Sequence, residues 1–249
     1  MFLFLRMMLA HFIADYPLQT NRVYCYKISC FRGQLFHAGI HAFVFALFLI
    51  PYWHHPLTWA YLFWITASHL TFDILKVKSF DKTKLHPVVT YTVDQVLHLA
   101  AASVIFWLPL SREIPTAASS HLWSWYWNNT IVGYLIGLIF ATYFTTYFLA
   151  CWHWAKKRLA HDDGYNLTEG QKVYEFFERG GITTLIAFGG DIGIAAIPLV
   201  LALRLPARRW LHNKGKSAAW LRSLPDIAVG TLFSIAAGIF IQMISRVQN

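Results

Sequence analysis

The sequence predicts an all-α integral membrane protein, a polytopic helical bundle of about six to eight membrane segments at roughly 20 apolar residues per span. Three observations carry that expectation. Hydrophobic residues make up 57% of the 249 residues and charged residues only 13%, with a mean hydropathy of +0.43, far from the composition of soluble domains. Apolar runs long enough to cross a bilayer recur at 35–51, 58–76, 89–110, 130–154 and 226–245. The basic residues gather in alternate connections between those runs, as membrane topology requires.

In chain order, residues 1–20 form a shorter apolar segment. It lacks the basic flank and small-residue cleavage site of a signal peptide, so it is kept as part of the fold. Pro17 ends its helix just after Asp15. The next connections hold Arg22/Lys27/Arg32, then Lys76/Lys78/Lys82/Lys84, Lys156/Lys157/Arg158, and Arg204/Arg208/Arg209/Lys214/Lys216/Arg222. Loops 51–57 and 109–129 contain only Arg112, opposite Glu113. The positive-inside rule makes the basic loops cytoplasmic and places the amino terminus outside. Keeping 156–172 and 204–222 on one side requires the apolar region 173–205 to enter and return, and Gly189, Gly190 and Gly193 in "FGGDIG" suit a broken helical hairpin there.

The expected organisation is a four-helix membrane domain over 1–110, an interfacial linker over 111–129 and a second helical membrane region over 130–249. Trp123, Trp125, Tyr126 and Trp127 place the linker at headgroup level. Topology accounts for the net charge of +9, so no dedicated nucleic-acid-binding domain is expected. Cys25, Cys30 and Cys151 show no metal-ligand spacing and are expected as free thiols.

Four pairs of ionisable residues interrupt the apolar segments of the first domain: His11/Asp15, His37/His41, His69/Asp73 and Asp94/His98. Each is spaced i,i+4, which stacks both side chains on one helix face. Two ligands so placed can chelate one ion. Charges within a bilayer face an internal site and find partners, and all four pairs fall in the same, cytoplasmic half. Antiparallel helices can therefore join them into one metal site, as helical bundles do. Five imidazoles and three carboxylates exceed what one four-coordinate zinc needs, so two or more divalent ions per chain are expected. The donor set, without thiolates, suits zinc, manganese or ferrous iron and does not by itself choose among them; zinc is the expected ion, with manganese or iron as alternatives. Gln19 and Gln95 lie beside the ligands, Tyr16 and Ser68 offer hydrogen bonds, and Lys76 at the mouth can neutralise a phosphate or snorkel as a topogenic lysine. Asp94 or Asp15 can serve as a general base instead of a ligand. His54, His55, His121, His153, His161 and His212 lie in or near loops and are read as surface residues; His86, beside Pro87, is intermediate.

"HFIADYPLQT", "HAGIH", "SHLTFDILK" and "DQVLH", in that order over residues 7–108, resemble the signature of a bacterial integral-membrane family catalogued as domain of unknown function 3307. The resemblance implies ligand-like roles for His11, Asp15, His37, His41, His69, Asp73, Asp94 and His98, accompanied by Gln19, Lys76 and Gln95. A later "FERGG", at Glu178 and Arg179, resembles an element of longer family members; their pattern places a Lys further along, where Arg204 is the nearest basic residue here. A looser similarity runs to membrane-bound metal-dependent hydrolases and to zinc-dependent phospholipase C and P1-type nucleases, which implies phosphoester cleavage.

The expected function is a metal-dependent hydrolase at the cytoplasmic face of the bacterial inner membrane, with the bilayer as partner and an anionic phosphorylated or lipid substrate. A metal-ion transporter using the same residues is the alternative, and a haem or di-iron redox protein a third. A transit pathway needs polar residues through the outer half, and 42–51, 58–67 and 99–110 are nearly all apolar.

Overall fold

In the computed structural model, which describes residues 1–80, 85–112, 124–160, 169–206 and 224–248, helices are the only regular elements among the described residues. Helix α1 (Phe2–Asp15) stops where Pro17 disfavours helical geometry at Tyr16 (φ −116°, ψ −76°). Gln19 therefore sits in a turn and not on a helical continuation of α1. A helix absent from the expected elements follows, α2 (Asn21–Ser29), capped by Thr20 Oγ1 accepting from the Val23 N–H at 3.4 Å. At Cys30 the backbone extends, and α3 (Phe31–Phe48) departs at a tight corner. Gly33 is required there, because a Cβ would lie 1.9 Å from the Tyr26 carbonyl oxygen.

Helices α4 (Pro56–Phe80) and α5 (Pro87–Ser103) both open on proline, where the missing N–H leaves no intrahelical bond unmade. His86 caps α5, its Nδ1 accepting from the Val88 N–H at 3.3 Å, so this histidine has a local structural task. Helix α1 packs on α3 and α5, α3 on α4, and α4 on α5, which closes a four-helix ring; α2 lies against α3 at one end.

A helical turn, α6 (Ser124–Trp127), leads into α7 (Asn129–Ile139), whose cap Asn128 accepts from the N–H groups of Thr130 and Ile131. One π-helical turn over Phe140–Phe144 joins α7 to α8 (Thr145–Ala160). Then come α9 (Glu169–Phe188), α10 (Gly190–Ala202) and α11 (Leu224–Gln248). The chain breaks between α9 and α10 at Gly190, whose φ of +53° suits glycine. Helix α11 packs on α7 and α9, while α7 leans on α1 and α8 on α5. The second half thus buttresses the ring.

Three stretches among the described residues are long and apolar enough to cross a membrane: Pro87–Trp107, Asn129–Trp154 and Leu224–Arg246. Of the other expected segments, α1 has only 14 residues, and α3 and α4 carry the polar pairs that dilute their hydropathy. Lys82, Lys84, Glu113, His121, Trp123, His161 and the basic cluster at 208–222 lie outside the described residues.

The two halves meet at Arg6, a charge within the first apolar segment. Its guanidinium is fully buried, donates from Nε to the Tyr126 carbonyl at 2.9 Å and from Nη1 to the Phe2 carbonyl at 3.1 Å, and also bonds Asn129 Oδ1. Tyr126 is itself fully buried, its hydroxyl donating to the Phe48 carbonyl at 2.8 Å, so this ring of the linker packs in the protein core. Arg6→Met leaves several buried acceptors unpaired. We expect it to lower stability by about 2–4 kcal/mol, read as a drop in the thermal midpoint in detergent, with the metal content of the surviving folded fraction unchanged.

Candidate metal centre

The ring brings all four pairs to one level of its interior. His11 and Asp15 come from the carboxy-terminal half of α1, His37 and His41 from the middle of α3, His69 and Asp73 from the later turns of α4, and Asp94 and His98 from the middle of α5. None of the eight is more than 6% exposed. Buried ionisable groups in such number must be paired with one another or with a cation.

His37 Nε2 and His41 Nε2 lie 3.1 and 3.2 Å from Asp15 Oδ1, and His69 Nε2 lies 3.1 Å from Asp73 Oδ2; His37 Nε2 is 3.6 Å from the same Asp73 oxygen, and His11 Nε2 is 3.4 Å from Asp15 Oδ2. Donors about 2.0–2.1 Å from one tetrahedral ion are separated by about 3.3 Å, so these gaps match the edges of a coordination polyhedron. Two groups have donor atoms mutually close enough to share an ion: Asp15, His37, His41 and His69, and His69, Asp73 and His98. His69 belongs to both, so the centre is one continuous cluster. A cavity of about 10 Å³, lined by His11, His69 and His98 on one side, has room for about one water-sized species.

Hydrogen bonds orient the rings. His98 Nδ1 lies 2.7 Å from the Asp94 backbone carbonyl, which only accepts, so Nδ1 carries the proton and Nε2 keeps its lone pair. That Nε2 has no hydrogen-bond partner, nor has His11 Nε2. Both are available as donors to an ion.

Two lysines balance part of the carboxylate charge. Lys76 Nζ sits 2.6 Å from Asp94 Oδ2, and Lys27 Nζ sits 2.7 Å from Asp73 Oδ1 and 3.3 Å from Gln19 Oε1. Asp15 is held instead by His11, His37, His41 and Gln95 Nε2, the last at 3.4 Å. Gln95 also donates to Asp94 Oδ2 at 3.2 Å and accepts from Tyr16 OH at 3.1 Å; the single proton of Tyr91 OH is shared between Tyr16 OH at 2.7 Å and the Phe144 carbonyl at 3.5 Å. This chain ties the ligands to the π-helical turn of the second half. Ser68 lines the cavity but gives its hydroxyl proton to the Ile65 carbonyl.

The structure separates two residues that sequence treated alike. Asp15 lies inside a ligand group, whereas Asp94 falls outside both and faces Lys76. Lys27, counted in the sequence with the topogenic basic residues, is buried at the centre; the signal that would have found it is the Thr20 cap, which sets a helix over the following residues and turns Lys27 inward. His153 is not a loop residue: it lies on α8 with Nε2 2.8 Å from Asp226 Oδ1. In the same half, Glu178 forms a bidentate pair with Arg204, and Glu175 Oε2 is 2.6 Å from Arg179 Nη2. Cys25 and Cys30 are exposed, and none of the three cysteines takes part in a disulfide.

Taken together, helices of membrane-crossing length and a buried His/Asp cluster at one level of a four-helix ring define a helical protein with a candidate buried metal centre. Residues 3–125, the half that builds that ring, match the model of a family described as a protein of unknown function (DUF3307), and the chain belongs to this family through them. No curated protein and no solved structure matches the chain.

Metal analysis of the purified protein tests the cluster. His69→Ala/Asp73→Ala removes one donor common to both groups and a second from one of them, and should strip bound metal to background while His153→Ala retains it; unchanged content in the double variant rejects the site. Lys27→Met removes an ammonium that competes with a cation for Asp73. Titration with zinc should show binding at least about tenfold tighter, a change of about 1.4 kcal/mol, and weaker binding would show that Lys27 supports the site instead.

Proposed function

We propose that the protein is a metal-dependent phosphoester hydrolase whose multinuclear centre, most suited to zinc, opens to the cytoplasmic face of the bacterial inner membrane. The observation that carries this reading is the one-sidedness of the cluster. Toward one end its cavity is closed by Phe45, Ile65, Ala101 and Ala102, and beyond them the interior continues as Leu3, Leu5, Met7 and Phe48. Toward the other end stand Lys27, Lys76 and Gln19. A transporter needs polar stepping stones on both sides of its site; at this end the buried Arg6 is already clamped by Tyr126, Phe2 and Asn129 among apolar side chains, which argues for a cup over a pathway. In the proposed topology the chain crosses six to eight times, with the amino terminus outside and the basic loops inside.

Divalent cations held there supply Lewis acidity and an activated water at neutral pH. Asp15, His37, His41 and His69 form one seat, and His69, Asp73 and His98 with the nearby His11 form the other. Asp94, outside both groups and with Oδ1 lacking a hydrogen-bond partner, is the carboxylate placed to accept a proton as general base. Lys76 holds Asp94 and lies where an incoming phosphate meets the mouth, so it both orients the base and offsets substrate charge. Phosphate release from lipid, lipid-linked and nucleotide phosphoesters by zinc-loaded wild type, set beside zinc flux into liposomes, separates the alternatives. Hydrolysis lost by at least about a hundredfold in Asp94→Asn, with metal retained and no flux, supports the enzyme; flux without hydrolysis sinks it.

A further inference from the structure

Outside the cluster, between the α2–α3 corner and α4, runs a groove of about 400 Å³ bounded by Ile28, Phe31, Gln34, Ile74, Val77 and Lys78. Its volume is that of a small-molecule site. It shares walls with the metal centre: Gln34 precedes His37 by one turn on α3, Ile74 adjoins Asp73 on α4, and Ile28 follows Lys27, which bonds Asp73. The walls are mainly apolar, with Ser29, Cys30 and Gln34 among them, and the rim is cationic. Lys78 is exposed there, Arg22 and Arg32 are exposed on the same corner, and residues 21–36 contain no acid. Around them Tyr24, Tyr26, Phe31, Leu35 and Phe36 are exposed, the mixture of rings and basic residues that lies at a bilayer surface.

We propose that this groove seats an anionic phospholipid of the surrounding bilayer, with its glycerol and first acyl carbons between Ile28, Ile74 and Val77 and its phosphate toward Lys78. A soluble phosphate gains nothing from those apolar walls, whereas a lipid fills both halves of the groove. The seat lies one helical turn from the ligands, so a lipid phosphoester reaching the centre laterally is its substrate class. That last step rests on the hydrolase reading; the seat stands without it.

A single-cysteine protein, Leu35→Cys with Cys25→Ser, Cys30→Ser and Cys151→Ser, carries a bimane at the groove's flank in phosphatidylcholine nanodiscs. Brominated-acyl phosphatidic acid should quench it saturably, at about a fivefold lower mole fraction than brominated phosphatidylcholine, the preference one lysine gives near an anionic headgroup. Lys78→Gln should erase the preference, and Val77→Trp, which fills the groove, should remove the saturable component. Equal quenching by the two lipids, quenching indifferent to Val77→Trp, or displacement by inorganic phosphate alone overturns the proposal. The same measurement in the His69→Ala/Asp73→Ala background keeps the two readings apart. Saturable quenching with no phosphate released by the wild type sinks only the hydrolase, and phosphate release without saturable quenching sinks only the seat.

Discussion

Burial of three carboxylates and five imidazoles at one level of an apolar ring is the constraint on which the rest of the structure depends. Each buried charge left unpaired costs several kcal/mol, so every neighbouring element is arranged to supply a partner. Lys27 reaches Asp73 only because α2 folds back over α3, and that corner exists only because Gly33 lets the Tyr26 carbonyl approach. Lys76 reaches Asp94 because it shares a face of α4 with Asp73, three residues earlier. The polar residues came first in this physical sense, and the backbone follows them.

The same logic explains what was legible in the sequence. The four i,i+4 pairs announce themselves because ionisable residues are rare in apolar runs, and their spacing puts each pair on one helix face whatever the tertiary fold. Their convergence followed from loop charge and antiparallel order, two signals independent of the pairs. Lys27 was hidden, since a basic residue in a connection reads as topology until the connection proves to be a helix. Arg6 was hidden for a related reason: its partners are the Tyr126 carbonyl and Asn129, 120 and 123 residues away, and no local pattern encodes a contact between an arginine and a backbone oxygen that distant. His153 was misplaced because its partner Asp226 lies 73 residues away. Periodicity reports which face of a helix is polar, and it is silent on which distant helix covers that face.

Buried ion pairs also give the second half its definition. Glu178 with Arg204 and Glu175 with Arg179 link α9 to the end of α10 and within itself, and His153 with Asp226 links α8 to α11. Such pairs are weak sources of net stability but strong sources of register, because any slip leaves a charge unpaired. Register matters here because the Phe144 carbonyl, in the π-helical turn, receives the Tyr91 hydroxyl whose partner Tyr16 bonds Gln95 between Asp15 and Asp94. A shift of one helix turn in the second half would be felt at Tyr91, three polar contacts from Asp15.

The length of α1 closes the argument. Fourteen residues span about 21 Å, and no single contact holds both ends of that length. Its two ends are fixed separately instead. Arg6 is clamped by Tyr126 and Asn129 of the second half, and Asp15 by the imidazoles of α3 and by Gln95 of α5. Pro17 then frees the chain to turn into α2, whose Lys27 returns to the same cluster. A longer, wholly apolar first helix would carry His11 and Asp15 past the level at which the other three pairs meet. The early stop is therefore what lets one short segment contribute both a ligand pair and, through α2, the cation that balances its neighbour.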